Sequence, residues 1–252
     1  MKKVLTLTAL LPAIFLAGCL TRTVPGNSST NPAAVSLAAS LISPVDIRLK
    51  WRDPTSGAAG HTVEYATEPK GEYVILGFLP PGEDTFVHSN LMPETTFYYR
   101  VQPYYGPTSG TVEVRLPDSL SDAEYAARYE KPEDFSWAAP VTNPEATDPA
   151  AKSLRSADPA AGPTDLKASL VPPTVSGFKL TWTDHARDGD GYLLETRPDE
   201  QSTFHVCAAT APKINSFGWA FDPPQRRGFF RVRAYYCGPP SNVASQTTGK
   251  AP

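Results

Sequence analysis

The feature that most constrains the fold of this chain is an internal repeat with a constant offset. Local patterns in the first half recur in the same order 131 residues later. A constant offset over well-separated patterns is typical of a tandem duplication of one structural unit. The matched positions are Trp51 and Trp182, Asp53 and Asp184, Gly60 and Gly191, Glu64 and Glu195, 99–101 and 230–232, and 104–105 and 235–236.

Each copy has the residue pattern of an all-β unit. Residues 47–51 place apolar side chains at every second position, and residues 178–182 do the same. That alternation is typical of a strand with one buried face. Short strands separated by Gly and Pro indicate two tandem antiparallel β-sandwiches. Further strands are predicted at 61–66, 72–78, 85–90, 97–105 and 111–116, and in the second copy at 192–197, 203–208, 216–221, 228–236 and 244–248.

The strand-bearing segments resemble the fibronectin type III family. Trp51 takes the place of that family's second-strand tryptophan, and residues 91–101 read LMPETTFYYRV, similar to its Leu-x-Pro-x-Thr-x-Tyr step. Residues 182–192 look like the second-to-third strand segment of many bacterial members. The chain departs from the family at the corner tyrosine, because Phe97 and Gly228 stand there and neither can donate the corner hydroxyl bond.

The repeat and the composition set the expected domain limits. A signal peptide at 1–18 and a flexible tether at 19–33 precede a first sandwich at 34–116, a linker at 117–162, a second sandwich at 163–248 and a tail at 249–252. The linker is expected to hold a short helix within 123–129. Its residues 138–161 are rich in Pro and Ala, so we expect them to be extended and mobile. Phe135 and Trp137 are expected to pack on the edge of the first copy, with a docking motif as the alternative.

The N-terminus has the organisation of an export signal. Lys2 and Lys3 precede an apolar run at 4–15, which ends in Leu16-Ala17-Gly18-Cys19. Small residues directly before a cysteine resemble the lipobox of bacterial lipoproteins. The resemblance implies cleavage before Cys19, lipid on its thiol and on the new amino group, and a durable membrane tether. Leu20 follows the cysteine where an aspartate favours inner-membrane retention in that family, so the outer membrane is the expected location, with the exposed face left open.

Charge and motif content argue against several function classes. The chain carries 23 basic and 26 acidic side chains, a net charge of −3, and losing two lysines with the signal takes it to −5. That balance gives no electrostatic case for nucleic acid. No histidine cluster, nucleophile elbow or phosphate loop is present, so no metal, cofactor or enzymatic activity is predicted. The carboxylates of Asp184, Asp188 and Asp190 are interpreted as turn residues, not as a Ca²⁺ site.

Two groups of side chains are candidates for a specific role. Cys207 and Cys237 could form a disulfide in an oxidising compartment, although the expected strand order puts a third strand between them. Four aromatics are candidates for a ligand-facing patch, with cross-strand packing as the alternative: Tyr98, Tyr104, Tyr235 and Trp219. We expect a monomeric, non-catalytic envelope module that binds a protein or glycan. A passive spacer is the alternative, and an accessory hydrolase is a weaker one.

Overall fold

The computed structural model describes residues 35–117, 136–140, 147–171, 177–222 and 224–250, and within them it contains strands and short 3₁₀ turns. The prediction of an all-β protein with two tandem antiparallel sandwiches is confirmed. The strands are β1 (Ser36–Ser43), β2 (Asp46–Arg52), β3 (Gly60–Ala66), β4 (Val74–Leu79), β5 (Thr85–His88), β6 (Thr96–Tyr105), β7 (Val112–Arg115), β8 (Thr147–Lys152), β9 (Thr164–Leu170), β10 (Gly177–Ala186), β11 (Gly191–Arg197), β12 (His205–Thr210), β13 (Ser216–Ala220), β14 (Arg227–Cys237) and β15 (Ala244–Thr247).

In the first sandwich, called sandwich one, a sheet of order β1-β2-β5 faces a second sheet that contains β4, β3 and β6. Alternation along β2 buries Ile47, Leu49 and Trp51 and leaves the intervening cations exposed. These side chains meet Tyr99 and Val101 of β6 in one core. The period-two pattern of the sequence therefore does set the inward face of this sheet.

The second sandwich, called sandwich two, repeats the plan with β9, β10 and β13 facing β12, β11 and β14. Trp182 of β10 is 2% exposed and lies in a core with Leu194 and Val232. An additional strand, β8, runs parallel to β10. The two tryptophans that mark the repeat therefore occupy equivalent buried positions in the two sandwiches.

Each sandwich is completed by the last strand of the other copy. Strand β7, which follows β6 in the chain, pairs with β14 of sandwich two. Strand β15, which follows β14, pairs with β6 of sandwich one. The two copies thus exchange their terminal strands reciprocally within one chain, which is the arrangement of a domain swap.

The first exchanged segment, residues 106–117, is called the first arm. Its Val114 and Leu116 are buried in the core of sandwich two. Ser109 fixes its position, because its amide donates to Val232 O at 2.7 Å and its hydroxyl accepts from Val232 N at 3.0 Å. Leu116 N then donates to Arg226 O, so backbone bonds continue to the end of the arm.

The second exchanged segment, residues 238–250, is called the second arm and mirrors the first. Ser241 makes the same pair of bonds to Val101 that Ser109 makes to Val232. Ala244 enters the core of sandwich one, and the Asn242 amide group both accepts from Leu37 N and donates to Leu37 O. The sheets of both sandwiches are therefore held closed by residues from the other copy.

The two arms cross where β6 and β14 meet. Tyr105 pairs with Tyr236, and Tyr104 pairs with Cys237, which joins the strands of both sandwiches into one eight-stranded sheet. Gly106 follows directly with φ of +131°, and a Cβ there would lie 1.9 Å from Ala234 O. A side chain at this position would separate the arms, so the crossing depends on a glycine.

Part of the predicted linker belongs to sandwich two, contrary to the expectation of a mobile segment. Leu154 and Ala161 are 1% and 0% exposed and lie in its core. Trp137 also packs on this sandwich, because Gly218 of β13 has no side chain and leaves room for the indole and for Ala138. The expectation that Trp137 packs on the first copy is therefore wrong. Phe135 and the predicted helix lie outside the described residues.

No helix within the described ranges has the length and apolar character needed to cross a bilayer.

Candidate functional site

The junction of the two sandwiches contains a buried ionic cluster. Glu195 of β11 is 4% exposed and accepts hydrogen bonds from Arg231 Nε at 2.5 Å and Arg233 Nε at 2.6 Å. Arg233 also donates to Gly106 O, which ties the cluster to the crossing of the arms. Because both guanidinium groups share one carboxylate, the cluster leaves an excess of one positive charge.

A cleft of about 420 Å³, called the junction cleft, opens beside this cluster. Its walls combine the two arginines with the rings of Phe78, Tyr104 and Phe204. The Arg231 guanidinium lies 4.1 Å from the centre of the Phe204 ring, close enough for a cation–π contact. Clefts of this kind, between two domains and partly apolar, are common ligand-binding places.

Two of the four candidate aromatics do not face a ligand. Tyr104 and Tyr235 are 2% and 0% exposed, and they pack against Phe78 at ring distances of 5.8 and 6.0 Å. Burial raises the pKa of Tyr104 to about 12. Both rings lie on the sheet face opposite the sandwich cores, as the alternation predicts, but the contact between the sandwiches covers that face. They are part of the junction.

The other two candidate aromatics are half-buried. Tyr98 lies on β6 between Ala66 of β3 and Ser245 of β15. Trp219 lies on β13, opposite Phe178 of β10, and it forms one wall of a second opening. A ligand-facing role stays a prediction for both.

The second opening, called the β12–β13 pocket, lies between the facing sheets of sandwich two and measures about 380 Å³. Thr196 and Phe221 are its most buried lining residues, and His205 and Gln225 form its exposed rim. It is lined by Thr196, Pro198, His205, Cys207, Trp219, Phe221 and Gln225.

The equivalent region of sandwich one is filled by aromatic rings. Tyr65 corresponds to Thr196 by the repeat offset, and its ring lies 5.1 Å from His88 and 6.1 Å from Phe97. Sandwich two has no ring at the Tyr65 position, because threonine replaces tyrosine. Aligning the two copies shows this replacement in the sequence, yet sequence reasoning did not identify Thr196 as a site residue.

The Cys207–Cys237 disulfide is not formed. Cys207 is a free thiol whose Sγ donates to Leu194 O at 3.3 Å. The two cysteines lie on β12 and β14, with β11 between them, and two strand spacings are too far for a disulfide. Burial raises the pKa of the Cys207 thiol to about 12, so it is a poor nucleophile near neutral pH.

The aspartates of the 184–190 loop make hydrogen bonds within the protein. Asp188 accepts from Ser153 Oγ and Leu154 N, and these bonds lower its pKa against the opposing effect of burial, the largest one. Asp190 accepts from Cys237 N at 2.7 Å. Asp184 accepts from Ala186 N, as a turn residue does. In the part of the chain that the structure describes, no group of three or more His, Cys, Asp or Glu side chains is placed to hold a metal ion.

The predicted lipid site, Cys19, lies outside the described residues, as do the signal peptide and the tether.

Comparisons with known proteins address the fold. No family model matches the chain, and no curated protein matches its sequence. Similar solved structures include a computationally redesigned β-sandwich protein, at 17% identity over 27% of this chain and 72% of that one, with a TM-score of 0.24. A fibronectin type III domain of human collagen XX has 21% identity over 33% of this chain and 85% of that one, with a TM-score of 0.26.

A segment of two fibronectin type III domains from chicken tenascin covers 86% of this chain and 99% of its own length, at 14% identity and a TM-score of 0.26. These TM-scores are low, so the fold is identified from the strand pairing within this chain. In each sandwich, the sheet that contains the marker tryptophan faces a second sheet. A strand from the other copy completes that second sheet. The chain is an all-β protein of two fibronectin type III-like sandwiches.

Proposed function

We propose that the chain is a non-catalytic interaction module of the bacterial cell envelope. One observation supports this proposal most strongly: the junction cleft and the β12–β13 pocket lie on either side of strand β12, and His205 is at the rim of both. Both openings combine aromatic rings with a few polar groups, which is the chemistry of binding sites. A protein or glycan of the envelope is the partner class that we propose.

The exchanged arms support this role mechanically. Because each arm is bonded along its length to the other copy, the walls of the junction cleft come from both copies. A site held in this way loses little conformational freedom when a partner binds. The arms also occupy the edges of β6 and β14 that a second chain could otherwise pair with, which supports the expected monomer.

The anchoring part of the proposal comes from the sequence. Lipid on Cys19 would hold the module at a membrane, and Leu20 favours the outer one. Metabolic labelling with a fatty acid tests this directly. The intact chain should be labelled, Cys19→Ser should not, and the control Cys207→Ser should be labelled like the parent. An unlabelled parent, or label found solely in the inner membrane, would contradict the anchoring proposal.

The interaction role is tested by photo-crosslinking in intact envelopes. A crosslinking amino acid at Phe204, in the junction cleft, should capture one reproducible partner. The matched control is Thr181, an exposed position on β10, which should capture nothing reproducible. If neither position captures a partner, the interaction role is wrong for this cleft.

A passive spacer is the second candidate, and the strand exchange favours it specifically. Two sandwiches locked by reciprocal arms hold a fixed separation better than two joined by a flexible linker. The two candidate functions predict different effects of substitutions in the walls of the two openings. A spacer tolerates Thr196→Tyr and Phe204→Ala without loss of cellular function, whereas an interaction module does not.

A further inference from the structure

We propose that the β12–β13 pocket of sandwich two binds the pyranose ring of a neutral saccharide. The inference rests on the proposed interaction role and gives it a ligand class. Three observations support it: the size of the pocket relative to sandwich one, a threonine in its lining where sandwich one has a tyrosine, and a described lining that combines aromatic rings with polar groups but contains no aspartate, glutamate, lysine or arginine.

The pocket has room for a ring because the protein supplies one ring fewer there. In sandwich one the Tyr65 ring lies among His88 and Phe97 between the sheets. In sandwich two the residue at this position is Thr196, and Trp219 stands in place of His88. A cavity of about 380 Å³ results, within the range of small-ligand pockets.

A second aromatic ring of sandwich one is also absent from sandwich two, and at that position another side chain fills the space. Gly228 replaces Phe97, and Phe221 fills the space, since a Cβ on Gly228 would lie 2.9 Å from the Phe221 ring. Phe221 also packs on Phe178 and Phe230 at ring distances of 5.1 and 5.8 Å. The ring lost at Thr196 has no such replacement, because the space there is open.

Thr196 provides the second observation. It is 9% exposed and lines the pocket, so it can offer a hydroxyl group to a bound ligand. A threonine hydroxyl can both donate and accept a hydrogen bond. A hydroxylated ring can bond to such a group, whereas a hydrocarbon ring cannot.

The rest of the lining selects the kind of hydroxylated ring. The Trp219 indole, half-buried in the wall, offers an apolar surface for the C–H face of a sugar. His205 and Gln225 place further hydrogen-bonding groups on the rim, apart from the Thr196 hydroxyl. Polar groups at the floor and the rim suit a ring with several hydroxyls better than a phenol, which has one. No aspartate, glutamate, lysine or arginine is among the described lining residues, which favours a neutral ligand.

The experiment follows the indole N–H signal of Trp219 by NMR in the full chain, held in a detergent without a sugar headgroup. Glucose, galactose and N-acetylglucosamine are the saccharide probes, and N-acetyltyrosinamide is the phenol probe. We expect at least one saccharide to shift this signal with a millimolar dissociation constant. Thr196→Tyr should weaken the binding at least about tenfold, while Thr196→Ser and the control Tyr65→Phe should leave it within about twofold of the parent.

Absence of a saccharide shift, or a shift that Thr196→Tyr leaves unchanged, would overturn the inference. A shift by N-acetyltyrosinamide alone would overturn it in favour of a peptide side chain. These results are distinguishable from failure of the interaction role. Crosslinking from Phe204 tests that role at the junction cleft, so a partner captured there without any saccharide shift would overturn the ligand class and leave the interaction role standing.

Discussion

The two sandwiches keep the same framework and differ in how the space at one edge of the framework is filled. Each has its marker tryptophan in the core and a buried glutamate that accepts from an arginine on the neighbouring strand. Sandwich one packs three rings at the edge near β5, whereas sandwich two has an opening at the corresponding edge near β13. The copies therefore share the residues that form the fold, and the second copy has an open space at one place where the first copy is packed.

The comparison also shows that neither copy is an independent unit. The core of sandwich one includes Ala244 from the second copy, and the core of sandwich two includes Val114 and Leu116 from the first. Stability is therefore shared between the copies along the arms. A change in one copy should therefore alter the stability of the other.

The largest effect is expected from removing the second arm. A chain that stops after Cys237 lacks β15 and the bonds of Ser241 and Thr248 to sandwich one. Each bond contributes about 1 kcal/mol, and a domain is stable by only about 5–15 kcal/mol, so sandwich one should lose its protection. Hydrogen exchange should show β2 and β3 unprotected and β10 protected. A chain that stops after Lys250 is the control, and unchanged protection of sandwich one in the shorter chain would contradict the exchange.

A smaller effect is expected at the crossing of the arms. Gly106→Ala places a Cβ against Ala234 O and demands a φ of +131°, so it should destabilise the protein by about 3 kcal/mol. Gly110→Ala is the matched control in the same arm, since nothing lies within 4 Å of its Cβ, and it should change stability by less than about 0.5 kcal/mol. Urea denaturation measures both. Equal effects would mean that the arms do not cross at Gly106.

Exchanging the residues that distinguish the two edges should destabilise the protein in one direction and leave its stability nearly unchanged in the other. Tyr65→Thr removes the ring beside His88 and Phe97, and we expect a loss of about 2 kcal/mol. Thr196→Tyr places a ring in an existing pocket and should change stability by less than about 1 kcal/mol. Thermal and urea denaturation provide the measurement. A large destabilisation by Thr196→Tyr would show that the pocket cannot hold a ring.

The smallest effect is a pH dependence that originates from a histidine of sandwich one. Burial lowers the pKa of His88, whose Nδ1 is hydrogen-bonded to Tyr99 Oη at 3.1 Å. The unfolded chain therefore binds a proton at higher pH than the folded one, and stability falls as the pH drops below about 6.5. Trp219 occupies the equivalent position in sandwich two. His88→Gln should remove this part of the pH dependence in urea denaturation at pH 7.5 and 5.5, and an unchanged slope would exclude His88 as its source.

Much of the framework could be predicted from the sequence because it depends on local patterns. Alternation in β2 and β10 identified the inward residues, and the repeat offset identified equivalent positions such as Trp51 and Trp182. The strand exchange could not be predicted in this way. Strand β7 pairs with Phe230 of sandwich two. In a closed hairpin it would pair instead with Tyr99, the repeat equivalent of Phe230. The local environment of β7 is therefore nearly the same in both arrangements.

The candidate site was predicted less completely. Trp219 does line a pocket, but Tyr104 and Tyr235 are buried, because alternation identifies the face of a sheet and not what covers that face. The assignment of residues 138–161 to a mobile linker followed their composition. Leu154 is buried in the core of sandwich two. This burial could not be predicted, because a single apolar residue in a polar segment gives no periodic pattern.

Disulfide mapping of two double variants tests the strand exchange most directly. Thr96 and Thr247 are paired across β6 and β15, and their hydroxyl oxygens are 2.8 Å apart. In a closed hairpin Thr247 would pair with Arg227 instead, because Arg227 is the repeat equivalent of Thr96. We predict that the monomeric Thr96→Cys/Thr247→Cys chain forms the engineered bond and that Arg227→Cys/Thr247→Cys does not, as identified by mass spectrometry of the linked peptides. Efficient bonding in the second variant, with none in the first, would contradict the exchange.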